Sequence, residues 1–137
     1  MRAERQSVEA GSPWEPRCGY DRVVALGDHA WVSGTTAASA AAGSDKVPEG
    51  AAEQAEIAFG IAIEALKNGG FSAEDVVRTR MFLTDLGDAE RVGAVDARVL
   101  EEVRPAATLV CVSSLIDRRL KVEVEVEVEL EAAKGSP

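Results

Sequence analysis

The sequence predicts an α+β domain in which two helices pack on one face of a mixed β-sheet. Three observations lead to this class. Five stretches favour strands, and the last of them alternates apolar and acidic residues throughout. Two longer stretches between them repeat apolar residues every three or four positions, as amphipathic helices do. The length of 137 residues allows a single domain, 1–137, with a substantial buried core. The predicted element order is β-β-α-β-α-β-β.

The N-terminal segment, residues 1–19, is predicted to be mainly irregular because it is polar and interrupted by two glycines and two prolines. A short strand at residues 6–10 is an alternative. Residues 22–26 and 30–33 are short β-type runs separated by a Gly-Asp-His turn signal, so we expect a hairpin. Residues 35–50 are small and polar and are predicted to form a loop.

Residues 51–68 have helical periodicity, and Gly69-Gly70 supplies a C-terminal cap. The alternating segment 75–83 predicts a strand, with Val77, Thr79, Met81 and Leu83 on one face and Arg78, Arg80 and Phe82 on the other. A second helix is predicted at 88–103, ended by Pro105, and a strand at 107–113.

The final predicted strand, 120–131, places four valines and Leu130 on one face and five glutamates on the other; residues 132–137 form a tail. The apolar row is expected to pack on the helices. The acidic row is either a solvated surface or, in part, the lining of a cleft, where Arg78 and Arg80 would balance its charge.

Composition restricts the partners. Fifteen Lys and Arg against 24 Asp and Glu give a net charge of −9, which disfavours nucleic acid and anionic membrane as partners. The sequence holds no apolar run of transmembrane length and no secretory signal pattern, so we expect a cytoplasmic protein. His29 is the single histidine, and Cys18 and Cys111 follow no metal or redox spacing. We therefore expect no metal site and two reduced thiols, with a single disulfide between them as the alternative.

Two helices cover only one face of such a sheet. Trp31, Phe82, Leu109 and Cys111 are not typical surface residues, so the second face is expected to be covered by other copies in a closed homo-oligomer.

Several segments together resemble the RidA (YjgF-type) family of reactive-intermediate deaminases. They are Tyr20, the hairpin VVALGDHAWVSGTT, the segment DVVRTRMFLTDLGD, then RPAATLVCVSSL and LKVEVEVE, in the family's order and spacing. The resemblance implies a chorismate-mutase-like fold, a homotrimer with small-molecule clefts between subunits, and hydrolysis of enamines or imines to keto acids and ammonia without a cofactor. Tyr20, the Ser33-Gly34 corner and Glu123 match family site positions, and Glu123 matches the glutamate that positions the attacking water.

The resemblance also shows departures. The family's carboxylate-binding arginine corresponds to Ala107, a frequent cysteine to Leu109 and a frequent asparagine to Gly93. Arg104 precedes the proline and is not expected to reach the position of Ala107; Arg78 or Arg80 is the alternative replacement. A guanidinium grips a carboxylate with two hydrogen bonds, so its loss should weaken family-typical substrates.

Each candidate also has a structural interpretation. Tyr20 could pack at a strand start, Ser33 could satisfy backbone groups, and Glu123 could be one of a solvated row. Trp14 either closes over the cleft or anchors its own loop. Two functional hypotheses follow: a hydrolase in which Glu123 activates water and Tyr20 polarises the substrate, and a non-catalytic module that binds a small metabolite. RNA cleavage, a third, is disfavoured by the charge.

Overall fold

The computed structural model describes residues 4–39 and 46–130. In chain order the elements are β1 (Arg5–Val8), α1 (Trp14–Cys18), β2 (Val23–Leu26), β3 (His29–Thr35), α2 (Ala51–Asn68), β4 (Val76–Leu83), α3 (Ala89–Val99), β5 (Ala106–Cys111) and β6 (Val122–Glu129). Single 3₁₀ turns at Ala73–Asp75 and Leu86–Asp88 precede β4 and α3.

The six strands form one mixed sheet in the order β1-β2-β3-β6-β4-β5. Only the β4–β5 pair is parallel, because α3 provides the crossover connection that parallel neighbours require. The other four pairs are antiparallel. The α+β class and the mixed sheet predicted from the sequence are confirmed.

The core lies between the sheet and helices α2 and α3. All four valines of β6 are buried, as the period-two pattern predicts. Helix α2 contributes mainly alanines, with Phe59 and Leu66. These small side chains let the helix lie close to the strands. The predicted bounds of α2 are those observed, and Gly69 N–H bonds back to the carbonyls of its last turn.

The prediction that residues 1–19 are irregular is wrong for much of that segment. It contains strand β1, slightly earlier than the 6–10 alternative, and the short helix α1. The Glu15 carboxylate accepts hydrogen bonds from Ala10 N and Ser12 N, both at 3.0 Å. The structure of this segment therefore depends on polar hydrogen bonds from Glu15 to the preceding backbone. Such bonds leave no hydrophobic periodicity in the sequence.

The predicted faces of β4 need one correction. Val77, expected on the core face, is 43% exposed, whereas Val76 is buried. The pairing with β6 shifts between Val76 and Arg78, so an irregularity interrupts the alternation. From Thr79 to Leu83 the predicted core face is the observed one.

The C-terminal ends of one helix and two strands differ from the prediction. Helix α3 stops at Val99, four residues early, and Leu100 begins a turn that leads to Pro105. Strand β5 ends at Cys111 and β6 at Glu129, and Leu130 is 37% exposed rather than on the core face. Residues 40–45 of the expected loop and the tail 132–137 lie outside the described residues.

Candidate functional site

The face of the sheet away from α2 and α3 carries a charged and aromatic surface. Arg80 Nη1 lies 3.8 Å from Glu125 and 3.7 Å from Glu127 on the neighbouring strand. Glu127 also lies 3.1 Å from His29 Nε2, and the His29 ring stacks on Trp31 with centroids 4.1 Å apart. The acidic row of β6 is therefore partly balanced within its own chain.

At one end of this face, the backbone of β3 is irregular at Ser33-Gly34. Pairing with β6 shifts between Val32 and Thr35, so β3 has one more residue than β6 over this stretch and Ser33-Gly34 forms a bulge. The bulge lets the Glu123 side chain lie directly on Gly34, because a Cβ on Gly34 would be 1.9 Å from Glu123 Oε2. Ser33 is fixed by a 2.7 Å bond from its hydroxyl to the Asp21 carbonyl.

A fully buried arginine holds the bulge in place. Arg22 has 0% exposure and donates from Nη1 to the Gly34 carbonyl at 2.7 Å and to Thr35 Oγ1 at 3.0 Å. Its Nη2 lies 3.4 Å from Glu15 Oε2, a buried ion pair. Because Glu15 also binds the backbone of residues 10–12, one pair connects α1 to β3.

The Glu123 carboxyl lies in a partly desolvated environment. Burial raises its pKa, and the negative charge of Glu125 raises it further; the Arg22 guanidinium lowers it by a smaller amount. A carboxyl with a raised pKa beside a fixed cation is a typical setting for proton transfer.

Tyr20 belongs to the same cluster, and Trp14 lies beside it rather than in it. The Tyr20 ring lies over the Arg22 guanidinium, with 5.5 Å between the ring centroid and Cζ. Tyr20 also lines a cavity of about 450 Å³ next to α1. Trp14 is half-buried at the start of α1 and packs under Arg17, 4.9 Å from its Cζ, which fits the anchoring interpretation.

Ala107 and Leu109 lie elsewhere in the chain. They pair with Thr79 and Met81, and paired residues share a sheet face, so both lie on the helix side. Leu109 packs against the core, and Ala107 is exposed at the edge strand. The expectation that Leu109 helps to fill an uncovered face is therefore wrong.

The candidate residues thus fall into two groups. Tyr20, Ser33, Gly34 and Glu123 surround Arg22, and Arg80 lies further along the same face. Ala107 is three register positions and two strands from Glu123 and faces the other way. That corresponds to a Cα separation of roughly 14 Å.

Two of the central residues were not predicted as site residues. The pattern predicts Arg22 as the start of a strand and places Glu15 in the loop of Trp14, and neither residue is among the predicted site residues. A weak signal existed, because an arginine directly before an apolar strand needs a carboxylate partner if it is buried. The sequence did not indicate which of 24 acids provides it.

The proposed replacements for the missing arginine are both engaged. Arg78 Nη2 donates to Thr108 Oγ1 at 3.0 Å, and Arg80 pairs with the acidic row. Cys18 and Cys111 are free and exposed. Cys111 pairs with Leu83 and so lies on the helix side, and the expectation that it helps to fill the uncovered face is wrong. Within residues 4–39 and 46–130, no cluster of His, Cys, Asp or Glu has the arrangement of a metal site.

None of the helices in the described ranges has both the length and the apolar character needed to cross a membrane.

Comparison with known proteins gives consistent matches. The family model described as endoribonuclease L-PSP matches residues 11–130. An uncharacterized protein of Streptomyces coelicolor is 43% identical over 116 residues, 84% of each chain. A Mycobacterium tuberculosis member of the YjgF/YER057c/UK114 family has a similar structure, with 33% identity, a TM-score of 0.84 and coverage of 93% of this chain and 100% of that one. RidA from an Antarctic Psychrobacter matches at 29% identity and a TM-score of 0.74, covering 81% and 88% of the two chains.

Proposed function

Since the chain belongs to the YjgF/RidA/L-PSP family, we propose that it forms a homotrimer with intersubunit clefts in which Glu123 acts on a small imine, enamine or related metabolite. The observation that carries the proposal is the placement of the Glu123 carboxylate on Gly34, half-buried, with a raised pKa and a fixed cation nearby.

The proposed reaction is hydrolysis of a carbon–nitrogen double bond. Glu123 accepts a proton from a water molecule while the water oxygen bonds to the imine carbon. Starting from the protonated imine, this addition gives a carbinolamine and a protonated Glu123. Glu123 then passes its proton to the nitrogen, the carbon–nitrogen bond breaks, and ammonia leaves. The hydroxyl group returns its proton to Glu123 as it becomes the carbonyl. Tyr20 and the Ser33-Gly34 backbone line the site and polarise the substrate.

The sheet face that no helix covers supports the proposed assembly. Trp31, at 42% exposure, and Val110, at 41%, lie there with the half-buried Phe82 and the charged row. Exposed aromatic and aliphatic side chains grouped on one sheet face are typical of subunit interfaces. Because Ala107 and Glu123 face opposite ways in one chain, a cleft that includes both positions needs two copies.

Ala107 limits the activity. Removing one partner of a desolvated ion pair costs about 2–5 kcal/mol of binding, so a substrate carboxylate should bind much more weakly without the arginine. We therefore propose that family-typical deamination of 2-imino acids is weak or absent.

A non-catalytic metabolite-binding module is the second candidate, and the same alanine favours it. We do not propose cleavage of RNA, despite the description of the family, because a net charge of −9 opposes binding of a polyanion.

The test is a deaminase assay with 2-aminoacrylate generated in situ, on the natural protein, Ala107→Arg and Glu123→Gln. The enzymatic proposal expects keto-acid formation above background in the natural protein or in Ala107→Arg, and its loss when Glu123→Gln is added. Activity that persists in Glu123→Gln contradicts the role of Glu123. If all variants are inactive but still bind small molecules, the binding module is the correct function.

A further inference from the structure

The N-terminal segment places a buried carboxylate, that of Glu15, beside Arg22. Glu15 is 4% exposed, although most of its neighbours in α1 are exposed. Its two oxygens accept hydrogen bonds from Ala10 N and Ser12 N, and Oε2 also lies 3.4 Å from Arg22 Nη2. Three donors around one buried carboxylate fix its position and favour its charged form.

Glu15 balances the charge of Arg22. The guanidinium is fully buried, and its other contacts, the Gly34 carbonyl and Thr35 Oγ1, are uncharged. Because an isolated charge inside a protein is strongly unfavourable, a buried guanidinium needs a carboxylate next to it. Within residues 4–39 and 46–130, Glu15 is the one acid paired with it.

The same cation also acts on Glu123. Arg22 Nη1 donates to the Gly34 carbonyl at 2.7 Å, and the Glu123 carboxylate lies on the Cα of that glycine. Burial and the charge of Glu125 raise the pKa of Glu123, and the Arg22 guanidinium lowers it by a smaller amount. The effect of this guanidinium on Glu123 therefore depends on how far Glu15 neutralises it.

Four other charged groups face or flank Glu123. They are Glu125 on the same strand, Arg80 on β4, Lys121 before β6 and Asp21 before β2. Glu125 and Arg80 lie 3.8 Å apart and partly balance each other. Lys121 is exposed and Asp21 is half-buried, so water and salt screen their charges. The Glu15–Arg22 pair is the fully buried influence on Glu123, and it is screened least.

We propose that Glu15 is a positioning residue for Glu123. It holds Arg22 against the Gly34 carbonyl and neutralises the guanidinium, so that the Glu123 carboxylate stays available to accept a proton and is not drawn to Arg22. The inference rests on the proposed function, in which Glu123 accepts the proton of the attacking water. It makes the short helix α1 a part of the chain on which the site depends.

The test is an NMR titration of the Glu123 carboxyl in the ¹³C-labelled full chain, with Glu123→Gln to identify its resonance. Glu15→Gln leaves the Arg22 cation without its acid. We expect the measured pKa of Glu123 to fall, because this carboxylate then becomes the partner of the buried guanidinium. Glu56→Gln is the matched control, since it removes the same charge from an exposed pair with Arg98 and should leave the pKa of Glu123 unchanged. Equal values in the two variants overturn the inference.

Two further variants separate positioning from a purely structural role. Glu15→Asp keeps the negative charge, so the pKa of Glu123 should fall less than in Glu15→Gln. Glu15→Gln combined with Arg22→Gln removes both charges, so the pKa of Glu123 should rise above its value in the natural protein although the fold loses stability. If Glu15 only stabilised the fold, a loosened cluster would expose Glu123, and its pKa would fall in every variant. A fall in the double variant overturns the inference. If the double variant does not fold, the Glu15→Asp comparison decides, and equal falls in Glu15→Asp and Glu15→Gln overturn it.

The outcomes also distinguish this inference from the proposed function, because the titration needs no turnover. Where 2-aminoacrylate is turned over, Glu15→Gln should lower kcat by roughly 10-fold or more and move the acid limb of the pH profile to lower pH. Glu123-dependent turnover that is unchanged in Glu15→Gln overturns the inference and leaves the proposed function intact. The expected changes in the Glu123 pKa without turnover in any variant support the inference and contradict the enzymatic proposal.

Discussion

Glu123 and Gly34 are in van der Waals contact across neighbouring strands, with the carboxylate occupying the space that any side chain at residue 34 would fill. The contact depends on the bulge of β3, and the bulge depends on Arg22, which binds the carbonyl of Gly34. The position of the candidate base is thus set by a backbone irregularity and one buried cation.

Gly34→Ala tests this relationship directly. The new methyl group overlaps the flexible end of Glu123, 1.9 Å from Oε2, so the carboxylate must move while the backbone stays. We expect the free energy of unfolding to change by less than about 1 kcal/mol. Any Glu123-dependent turnover should fall by about 100-fold, because a displaced base loses its alignment. Urea unfolding and the deaminase assay measure the two effects. Turnover equal to that of the natural protein would show that the position of Glu123 is unimportant.

The raised pKa of Glu123 predicts a pH dependence of stability. The Glu123 carboxyl keeps its proton to a higher pH in the folded protein than in the unfolded chain, where its pKa is the ordinary 4.5. The contribution of Glu123 to the free energy of unfolding is therefore fully present below pH 4.5 and is lost as the pH rises through the folded pKa. A glutamine at this position does not titrate, so Glu123→Gln does not lose stability in this way.

The free energies of unfolding of Glu123→Gln and of the natural protein should accordingly approach each other at acidic pH. Toward neutral pH, Glu123→Gln should become the more stable of the two. Urea unfolding of both proteins from pH 3.5 to 7.5 measures the difference, in which other titrating groups largely cancel. A difference that stays constant with pH is the contrary result.

Arg22→Met removes one partner of a buried ion pair. It leaves the Glu15 carboxylate, the Gly34 carbonyl and Thr35 Oγ1 without their shared donor. We expect a loss of about 3–5 kcal/mol in the free energy of unfolding. Arg91→Met is the matched control, because its 2.9 Å pair with Asp88 involves an exposed arginine and should contribute less than about 1 kcal/mol. If both variants lose the same free energy of unfolding, the buried ion pair of Arg22 stabilises the fold no more than an exposed pair does.

The sequence predicted elements whose side-chain period matches their burial. Helix α2 and strand β6 are such elements, since each buries one regular face. It did not predict α1, the exposure of Val77 or the Arg22–Glu15 pair, because a short helix, an irregular strand pairing and a long-range ion pair leave no periodic signal. The family match predicted Glu123 as a site residue, but only the structure shows that Ala107 lies on the other face.

Trp31→Asp tests the proposed trimer. Trp31 lies at the centre of the uncovered face, next to Glu127, and a new carboxylate there would repel the acidic row. We expect the natural protein to sediment as three chains and Trp31→Asp to shift toward monomers. Leu86→Asp is the control, since Leu86 is more exposed than Trp31 but lies on the turn before α3. A natural protein that sediments as a monomer contradicts the trimer.

Gly60→Ala should stabilise the chain without touching the candidate site. Gly60 is exposed in the middle of α2, and a Cβ there would meet no atom within 4 Å. Alanine restricts the unfolded chain and favours the helix by about 0.5–1 kcal/mol, which corresponds to a rise of about 3 °C in melting temperature. Calorimetry measures the rise, and Gly70→Ala, at a φ of +90°, is the opposed control that should destabilise. A fall in melting temperature for Gly60→Ala would mean that another copy or segment packs on this part of α2, because nothing in the chain's own packing opposes the methyl group.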